Sequence, residues 1–190
     1  MRMTPGGEML PKTTIMTGLP TTLSNEHLIE LGTVAVHASR LEFSLAELVA
    51  ELLDPLPEVG FAVTAGMPFQ RLLALANELV DTRLTDTKYG VRFTDIRKFA
   101  QRAMESRNEL MHGHWIVSWN QQTLTRQDDL ATRRGRVKVR PNVRVPDVAT
   151  VAGDLNVANM QVELFHANIL LPLGRLVEFE PGKYCRVSEL

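Results

Sequence analysis

The stretch that decides the fold is IRKFAQRAMESRNELMHG, residues 96–113. On a helical wheel with about 100° per residue, the apolar side chains in and just before this stretch fall within an arc of about 140°, which is typical of a bundle helix. Arg107 lies near the centre of that arc and is the only polar residue there, whereas Asn108 and His112 lie four residues apart on the flank just outside it. The apolar arc consists of Phe93, Ile96, Phe99, Ala100, Ala103, Met104, Leu110 and Met111.

Three more helices are predicted around this one, from apolar periodicity and from residues that begin or end helices. Ser24 is a suitable N-cap for the first helix, and the prolines of the segment DPLP (54–57) end it. Prolines also bracket the last helix, which begins after Pro146 and ends near Pro172. The predicted helices run from Ser24 to about Leu53, from Pro68 to Leu84, from Thr94 or Asp95 to Gly113, and from Asp147 to about Leu173.

Between the third and fourth helices the sequence period changes from that of a helix to that of a strand. The segments HWIVSWNQQTLT (114–125) and RGRVKVRPNVRV (134–145) both alternate and are rich in Val, Thr and Trp, which predicts a β-hairpin. The predicted fold class is therefore mainly α, a four-helix bundle with a β-hairpin inserted between the third and fourth long helices. Residues 1–190 would form one domain, with residues 1–22 as an extended arm and residues 114–145 as a basic hairpin insert.

The composition excludes several classes of protein and of site. The net charge is only −1, and the single cysteine, Cys185, can form neither an internal disulfide nor a cysteine-based zinc site. No apolar run reaches membrane-spanning length, and the first twenty residues lack the apolar core of a secretory signal. We therefore expect a cytoplasmic protein without a membrane partner. The sequence also lacks a Walker loop and a dinucleotide-binding fingerprint, and we expect no cofactor.

A second charged residue interrupts the apolar face of the first helix. Glu42 falls inside that face, and a lone buried charge is costly enough that such groups are normally paired. We therefore expect Glu42 and Arg107 to meet, or to line one partly wet cleft. The simpler alternative is a structural salt bridge that fixes the helix register, but it does not explain the polar residues beside Arg107. Asn159 and His166 lie toward the apolar side of the last helix, and for His166 a hydrogen-bonded core position is the simpler interpretation.

Arg107, Asn108 and His112 form the pattern R-N-x-x-x-H near the end of a bundle helix, and Gly113 follows it directly. This pattern resembles the signature of the HEPN superfamily (higher eukaryotes and prokaryotes nucleotide-binding domain), and the compatible helical layout covers most of residues 24–175. The resemblance implies a HEPN-like bundle and a metal-independent endoribonuclease, often a toxin or a defence effector. It also implies RNA as the substrate, a homodimer with the two motifs facing each other across a cleft, and an antitoxin protein as a further candidate partner.

The three motif residues are suited to cleaving RNA without a metal ion, through the ribose 2′-OH. His112 can act as a base or an acid near neutral pH, and Arg107 offers a permanently charged, bidentate donor for phosphate oxygens. Asn108 can donate to a phosphate oxygen or orient the histidine. The reaction needs both a base and an acid, and the motif supplies only one histidine per chain. A two-fold dimer would supply the second histidine. Arg107, Asn108 and His112 are therefore the predicted catalytic residues, with Glu42 and His114 in support.

Other uses of the motif stay open. His112 and His114 have a spacing that can bind a metal ion from a strand, but no carboxylate except Glu109 and no cysteine lies near them in the sequence, so no metal site is predicted. One alternative to catalysis is a HEPN-like bundle that keeps the motif for stability and serves as a binding or antitoxin-paired module. Another is nucleotide binding in the dimer cleft without turnover.

Basic residues are concentrated in the predicted hairpin. Between Arg126 and Arg144, seven basic residues oppose two aspartates, a local charge of +5 that the whole-chain sum hides. Such a strip suits a phosphate backbone and gives salt-sensitive binding without sequence preference. The alternative is a solvated hairpin face that pairs with acids of its own surface or of a dimer mate. The residues predicted to bind RNA are Arg133, Arg134, Arg136, Lys138 and Arg140.

Overall fold

The computed structural model of the protein describes residues 23–53, 56–119, 126–134, 136–180 and 182–186, so the predicted arm at 1–22 lies outside the described residues. Along the described part of the chain, four helices come first, followed by three strands, a fifth helix and two further strands. The helices are α1 (Asn25–Leu53), α2 (Pro57–Thr64), α3 (Phe69–Arg83), α4 (Thr87–His112) and α5 (Val145–Ile169). The strands are β1 (His114–Trp119), β2 (Arg126–Arg134), β3 (Arg136–Arg140), β4 (Leu176–Glu180) and β5 (Lys183–Arg186).

The four long helices form a bundle, which confirms the predicted mainly-α fold. α1 packs on α3 and α5, and α4 packs on the same two helices, so α1 and α4 stand diagonally across the bundle and touch less. α1 and α5 run parallel, because hydrogen bonds join them in the same order along both helices. These are His27 to the Val143 carbonyl just before α5, Ser44 to Glu163, and the Glu51 carbonyl to Arg175 just after α5.

The ends of α1 match the prediction. Ser24 is the N-cap, and its Oγ accepts a hydrogen bond of 3.3 Å from the backbone N–H of His27, which satisfies one of the orphan donors of the first turn. The helix ends at Leu53, directly before the segment that contains Pro55. Its apolar stripe supplies a large share of the buried core: Val34, Ala38, Leu41, Leu45, Leu48, Val49, Ala50 and Leu52.

A short helix, α2, was not predicted from the sequence. Its eight residues, PEVGFAVT, are almost uniformly apolar and carry no helical period, so periodicity could not reveal it. Pro57 begins the helix, where its missing N–H costs nothing. Gly60 lets α2 lie directly against α1, because a Cβ at this position would come within 2.5 Å of the Ala50 backbone.

The predicted start of α4 near Thr94 or Asp95 is wrong, because the helix begins at Thr87. Asp86 is the N-cap, and its carboxylate accepts a hydrogen bond of 3.0 Å from the Lys88 backbone N–H. The first turns contain Gly90 and the exposed Val91, which weaken the apolar pattern there. Aromatic packing stabilises these first turns of α4 instead, because the Tyr89 ring lies edge-on to Phe165 at 6.4 Å between centroids.

The last long helix is also displaced from its predicted bounds of Asp147 and Leu173. α5 begins at Val145 with Pro146 in its first turn, and it ends at Ile169, before a turn that contains Pro172. The Asp147 carboxylate accepts a hydrogen bond of 2.8 Å from the Arg144 backbone N–H, so the chain is already fixed three residues before Asp147. The existence of the helix was predicted correctly, and its two predicted ends are off by a few residues.

The insert between α4 and α5 is a three-stranded antiparallel sheet in the order β1-β2-β3, not the predicted two-stranded hairpin. The segment RQDDLATRR, most of which lies between the two predicted strands, forms β2 and pairs with both of them. The many charged residues of β2 give no apolar alternation from which a strand could be predicted. Leu130 at the centre of β2 is nevertheless buried in the core. A second hairpin, formed by β4 and β5, follows α5 and was also not predicted.

Candidate functional site

The candidate site lies at the end of the bundle where α4 ends and α1 and α5 begin. His27, buried at the start of α1, donates from Nε2 to the Val143 carbonyl at 3.0 Å, while its Nδ1 lies 2.9 Å from the Ser24 hydroxyl. Its ring lies edge-on to Trp115 of β1 at 6.0 Å between centroids. Trp115 in turn donates from Nε1 to the Leu110 carbonyl at 3.1 Å. These contacts fix the last turn of α4 against the first turns of the two parallel helices.

Arg107 is half-buried near the C-terminal end of α4. Its Nη1 donates to Oδ1 of Asn108 at 2.9 Å, so the first two residues of the motif are joined side chain to side chain. Its Nε is buried and has no hydrogen-bond partner among the described residues. A guanidinium with a buried, unsatisfied N–H carries an unfavourable desolvation cost that an incoming acceptor would relieve.

The structure does not bring Glu42 and Arg107 into an ion pair. Both side chains are half-buried, but no hydrogen bond or salt bridge joins them within the described part of the chain. The physical reason is the diagonal placement of α1 and α4, together with the bond that directs the Arg107 guanidinium toward Asn108. The other form of the expectation, a partly wet cleft shared by the two residues, stays a prediction.

His112 and His114 are both exposed and flank the junction between α4 and β1. Gly113 between them adopts an extended backbone with φ of −74°, so it does not serve through left-handed geometry. It serves through its size, because a Cβ there would lie 2.5 Å from the Glu109 carbonyl oxygen and 2.5 Å from Cδ1 of Leu130. Close packing of Leu130 therefore sets the position at which the chain leaves the helix after His112.

The predicted RNA-binding residues lie on two paired strands, at positions 133 and 134 of β2 and at positions 136, 138 and 140 of β3. Arg134 pairs with Arg136, and Arg133 pairs with Val137. Leu130 pairs with Arg140 and is buried in the core. The Arg140 side chain is exposed. Since Leu130 packs at Gly113, the basic sheet is anchored directly beside the end of the motif helix.

His27 is the site residue that the sequence analysis did not single out. It lies at the third position of α1, where a histidine on a helix start gives no distinctive pattern. Its importance comes from contacts with Val143 and Trp115, which are distant in sequence and become neighbours only through the bundle and the sheet. Its position three residues after the N-cap Ser24 was the one available signal.

The described residues contain no group of three or more histidine, cysteine, aspartate or glutamate side chains that could hold a metal ion. None of the described helices has the length together with the apolar character that crossing a membrane requires. Comparisons with models of protein families, with curated proteins and with solved structures found no match to the chain.

Proposed function

We propose that the protein is a metal-independent endoribonuclease of the HEPN type, which cleaves RNA through the 2′-OH and pairs two copies of its motif across a homodimer cleft. The observation that carries the proposal is the arrangement at the end of α4. Arg107 is half-buried with an unsatisfied Nε, Asn108 holds its Nη1, and the exposed His112 lies one turn beyond Asn108. A phosphate-binding cation thus lies on the same helix end as a solvent-accessible group that can transfer a proton.

In the proposed reaction, the 2′-oxygen attacks the adjacent phosphorus, and the bond from phosphorus to the 5′-oxygen of the next nucleotide breaks. One His112 accepts the 2′-OH proton, and the His112 of the second copy gives a proton to the leaving 5′-oxygen. Arg107 binds the phosphoryl oxygens as negative charge develops on them, since its charge is worth more in a partly desolvated site than in water. The products are a 2′,3′-cyclic phosphate and a 5′-hydroxyl.

The basic sheet supplies the proposed contact with the RNA backbone. β2 and β3 carry the five basic residues at positions 133, 134, 136, 138 and 140, and the sheet is anchored at Gly113, next to His112. A strand rich in arginine binds phosphates without reading the bases, so the proposal favours a broad preference for single-stranded or loop RNA. A role as a toxin or defence effector, with a protein antitoxin, belongs to the same proposal.

The test is cleavage of several labelled RNAs in excess EDTA by the wild-type protein and by two variants. His112→Ala should lower the rate by about 10²-fold or more, the range expected when a general acid or base is removed. Lys98→Ala, which removes an exposed charge on the same helix away from the motif, should cleave at the wild-type rate. A His112→Ala protein that cleaves as fast as wild type would overturn the proposal.

The internal bond between Arg107 and Asn108 also favours a second candidate, a bundle that keeps the motif for stability and acts as a binding module. In that case the half-buried guanidinium serves the fold. The Arg107→Ala variant distinguishes the ribonuclease proposal from the binding-module candidate. The ribonuclease proposal predicts a folded protein with at least about 10²-fold lower cleavage, because Arg107 acts on the developing charge. Unfolding by Arg107→Ala, together with an unchanged His112→Ala protein, would instead support the binding module.

A further inference from the structure

A groove between α1 and α5, away from the end of α4, has the features of a binding site. Its volume is about 580 Å³, within the range of small-molecule sites. Its walls combine exposed apolar side chains, Phe43 and Met160, with charged ones, Arg40, Glu47 and Glu163. Ser44 and Asn159 line its floor and are buried, with only 5% and 6% of their surfaces exposed. Buried polar groups in a helix interface are costly, which makes their role in this groove informative.

The two buried residues hold one carboxylate in place. The Asn159 amide donates from Nδ2 to Oε1 of Glu163 at 2.8 Å, and the Ser44 hydroxyl donates to the same oxygen at 3.3 Å. Glu163 takes part in no ion pair with any described residue. Its second oxygen therefore remains available as an acceptor on a carboxylate whose orientation is already fixed.

A second acceptor lies beside it. Oδ1 of Asn159 is buried and has no hydrogen-bond partner among the described residues, although most buried polar atoms are satisfied. The amide cannot be reversed to remove this deficit, because its Nδ2 is the group that donates to the Glu163 carboxylate. The groove thus contains an oriented, exposed carboxylate beside a buried acceptor that lacks a partner, and a ligand that donates hydrogen bonds suits this pair.

The charge and the aromatic wall of the groove indicate that the ligand is positively charged. Two carboxylates and one guanidinium line it, which leaves a formal charge of −1. The Phe43 ring is stacked on Phe61 at 6.3 Å between centroids, and 60% of the Phe43 surface remains exposed to a ligand. Aromatic faces attract cations, and a fixed carboxylate forms its strongest hydrogen bonds with ammonium or guanidinium groups.

We propose that this groove binds a small organic cation, with an ammonium or guanidinium group on Glu163 and an apolar chain between Phe43 and Met160. Arg40 makes no ion pair in the described part of the chain and lies on the groove wall, where it would repel such a ligand. Removing the Arg40 charge should therefore strengthen binding. The proposal does not depend on the ribonuclease activity, because none of the motif residues lines the groove.

The test is isothermal calorimetry with agmatine, which carries a guanidinium and an ammonium group joined by four methylenes. Saturable binding to the wild-type protein is expected. Glu163→Gln should weaken binding about tenfold or more, because it removes the charge while keeping the shape of the side chain. Arg40→Gln should strengthen it several-fold. Glu78→Gln, which removes an exposed carboxylate on α3, is the matched control and should bind as wild type does.

The Ser44→Ala variant tests whether the orientation of the Glu163 carboxylate, and not only its charge, matters for binding. It leaves Glu163 charged but removes one of the two donors that orient it, so agmatine binding should fall while thermal stability changes little. Absence of saturable agmatine binding by the wild-type protein, or equal affinities of wild type and Glu163→Gln, would overturn the proposal. Equal binding of the neutral control pentanol would also overturn it, because the groove would then select for an apolar chain rather than for a cation.

Discussion

Arg107 illustrates how far a single residue could be interpreted from the sequence. Its position in the centre of an apolar arc marked it as unusual, and the structure indeed places it half-buried with an unsatisfied Nε. The partner was not predictable in the same way. Glu42 was the expected partner, since it interrupts another apolar stripe, but the Arg107 guanidinium bonds to its neighbour Asn108. A wheel shows which residues share a face of one helix, whereas which helices meet depends on the bundle.

Gly113 allows a direct test at the residue scale. Gly113→Ala should destabilise the protein by about 1–3 kcal/mol, because the new methyl group would overlap the Glu109 carbonyl and the Leu130 side chain. Urea unfolding measures this change. The control is Gly153→Ala, at an exposed position of α5 where a Cβ meets nothing within 4 Å. That variant should gain about 0.5–1 kcal/mol from helix propensity. Equal stabilities of the two variants would refute the packing role of Gly113.

At the scale of elements, helices with both a cap and a period were predictable, and elements without a period were not. α1 has Ser24 as its cap and a continuous apolar stripe, and both of its ends were predicted. α2 is almost uniformly apolar, β2 is rich in charge, and neither was predicted. The position of β2 is set by long-range pairing and by burial of Leu130, neither of which leaves a local signal.

The cap of α5 should make part of the stability depend on pH. The hydrogen bond from the Arg144 backbone N–H lowers the pKa of Asp147 below its ordinary value. Because the folded pKa is the lower one, the stabilisation is present above the unfolded pKa and is lost as pH falls through the folded pKa. Asp147→Asn should therefore cost a few tenths to about 1 kcal/mol at pH 7, since the carboxylate is partly open to solvent.

Urea unfolding at a series of pH values checks this prediction. The difference in stability between wild type and Asp147→Asn should shrink as the pH falls below 4 and through the folded pKa of Asp147. A difference that is the same at pH 7 and at strongly acid pH would show that the Asp147 charge does not act through the cap.

At the scale of the whole molecule, charge is distributed unevenly although the chain is nearly neutral. The basic residues of β2 and β3 lie in a sheet that Leu130 anchors to the bundle at Gly113. The alternation of the sequence predicted the strands that became β1 and β3, but it could not give the third strand or the way the sheet docks. The anchoring contacts of His27 with Trp115 and Val143 arise between segments far apart in the chain.

RNA binding should therefore depend on salt through the sheet. For a single-stranded RNA that is not cleaved, Arg140→Ala should weaken binding and reduce the slope of log K against log salt by about 0.7, the value for one phosphate contact. Lys98→Ala, an exposed charge on α4, should leave the slope unchanged. Fluorescence anisotropy at several salt concentrations measures both. A slope that is equal in all three proteins would exclude Arg140 from the RNA interface.

The central claim is that His112 and Arg107 cleave RNA through the ribose 2′-OH without a metal ion. The most direct measurement is the chemistry of the product ends after wild-type cleavage in EDTA. The account predicts a 2′,3′-cyclic phosphate on one fragment and a 5′-hydroxyl on the other, and no cleavage at a linkage whose 2′-OH is replaced by hydrogen. Products with a 5′-phosphate and a 3′-hydroxyl, or cleavage of the 2′-deoxy linkage, would contradict it.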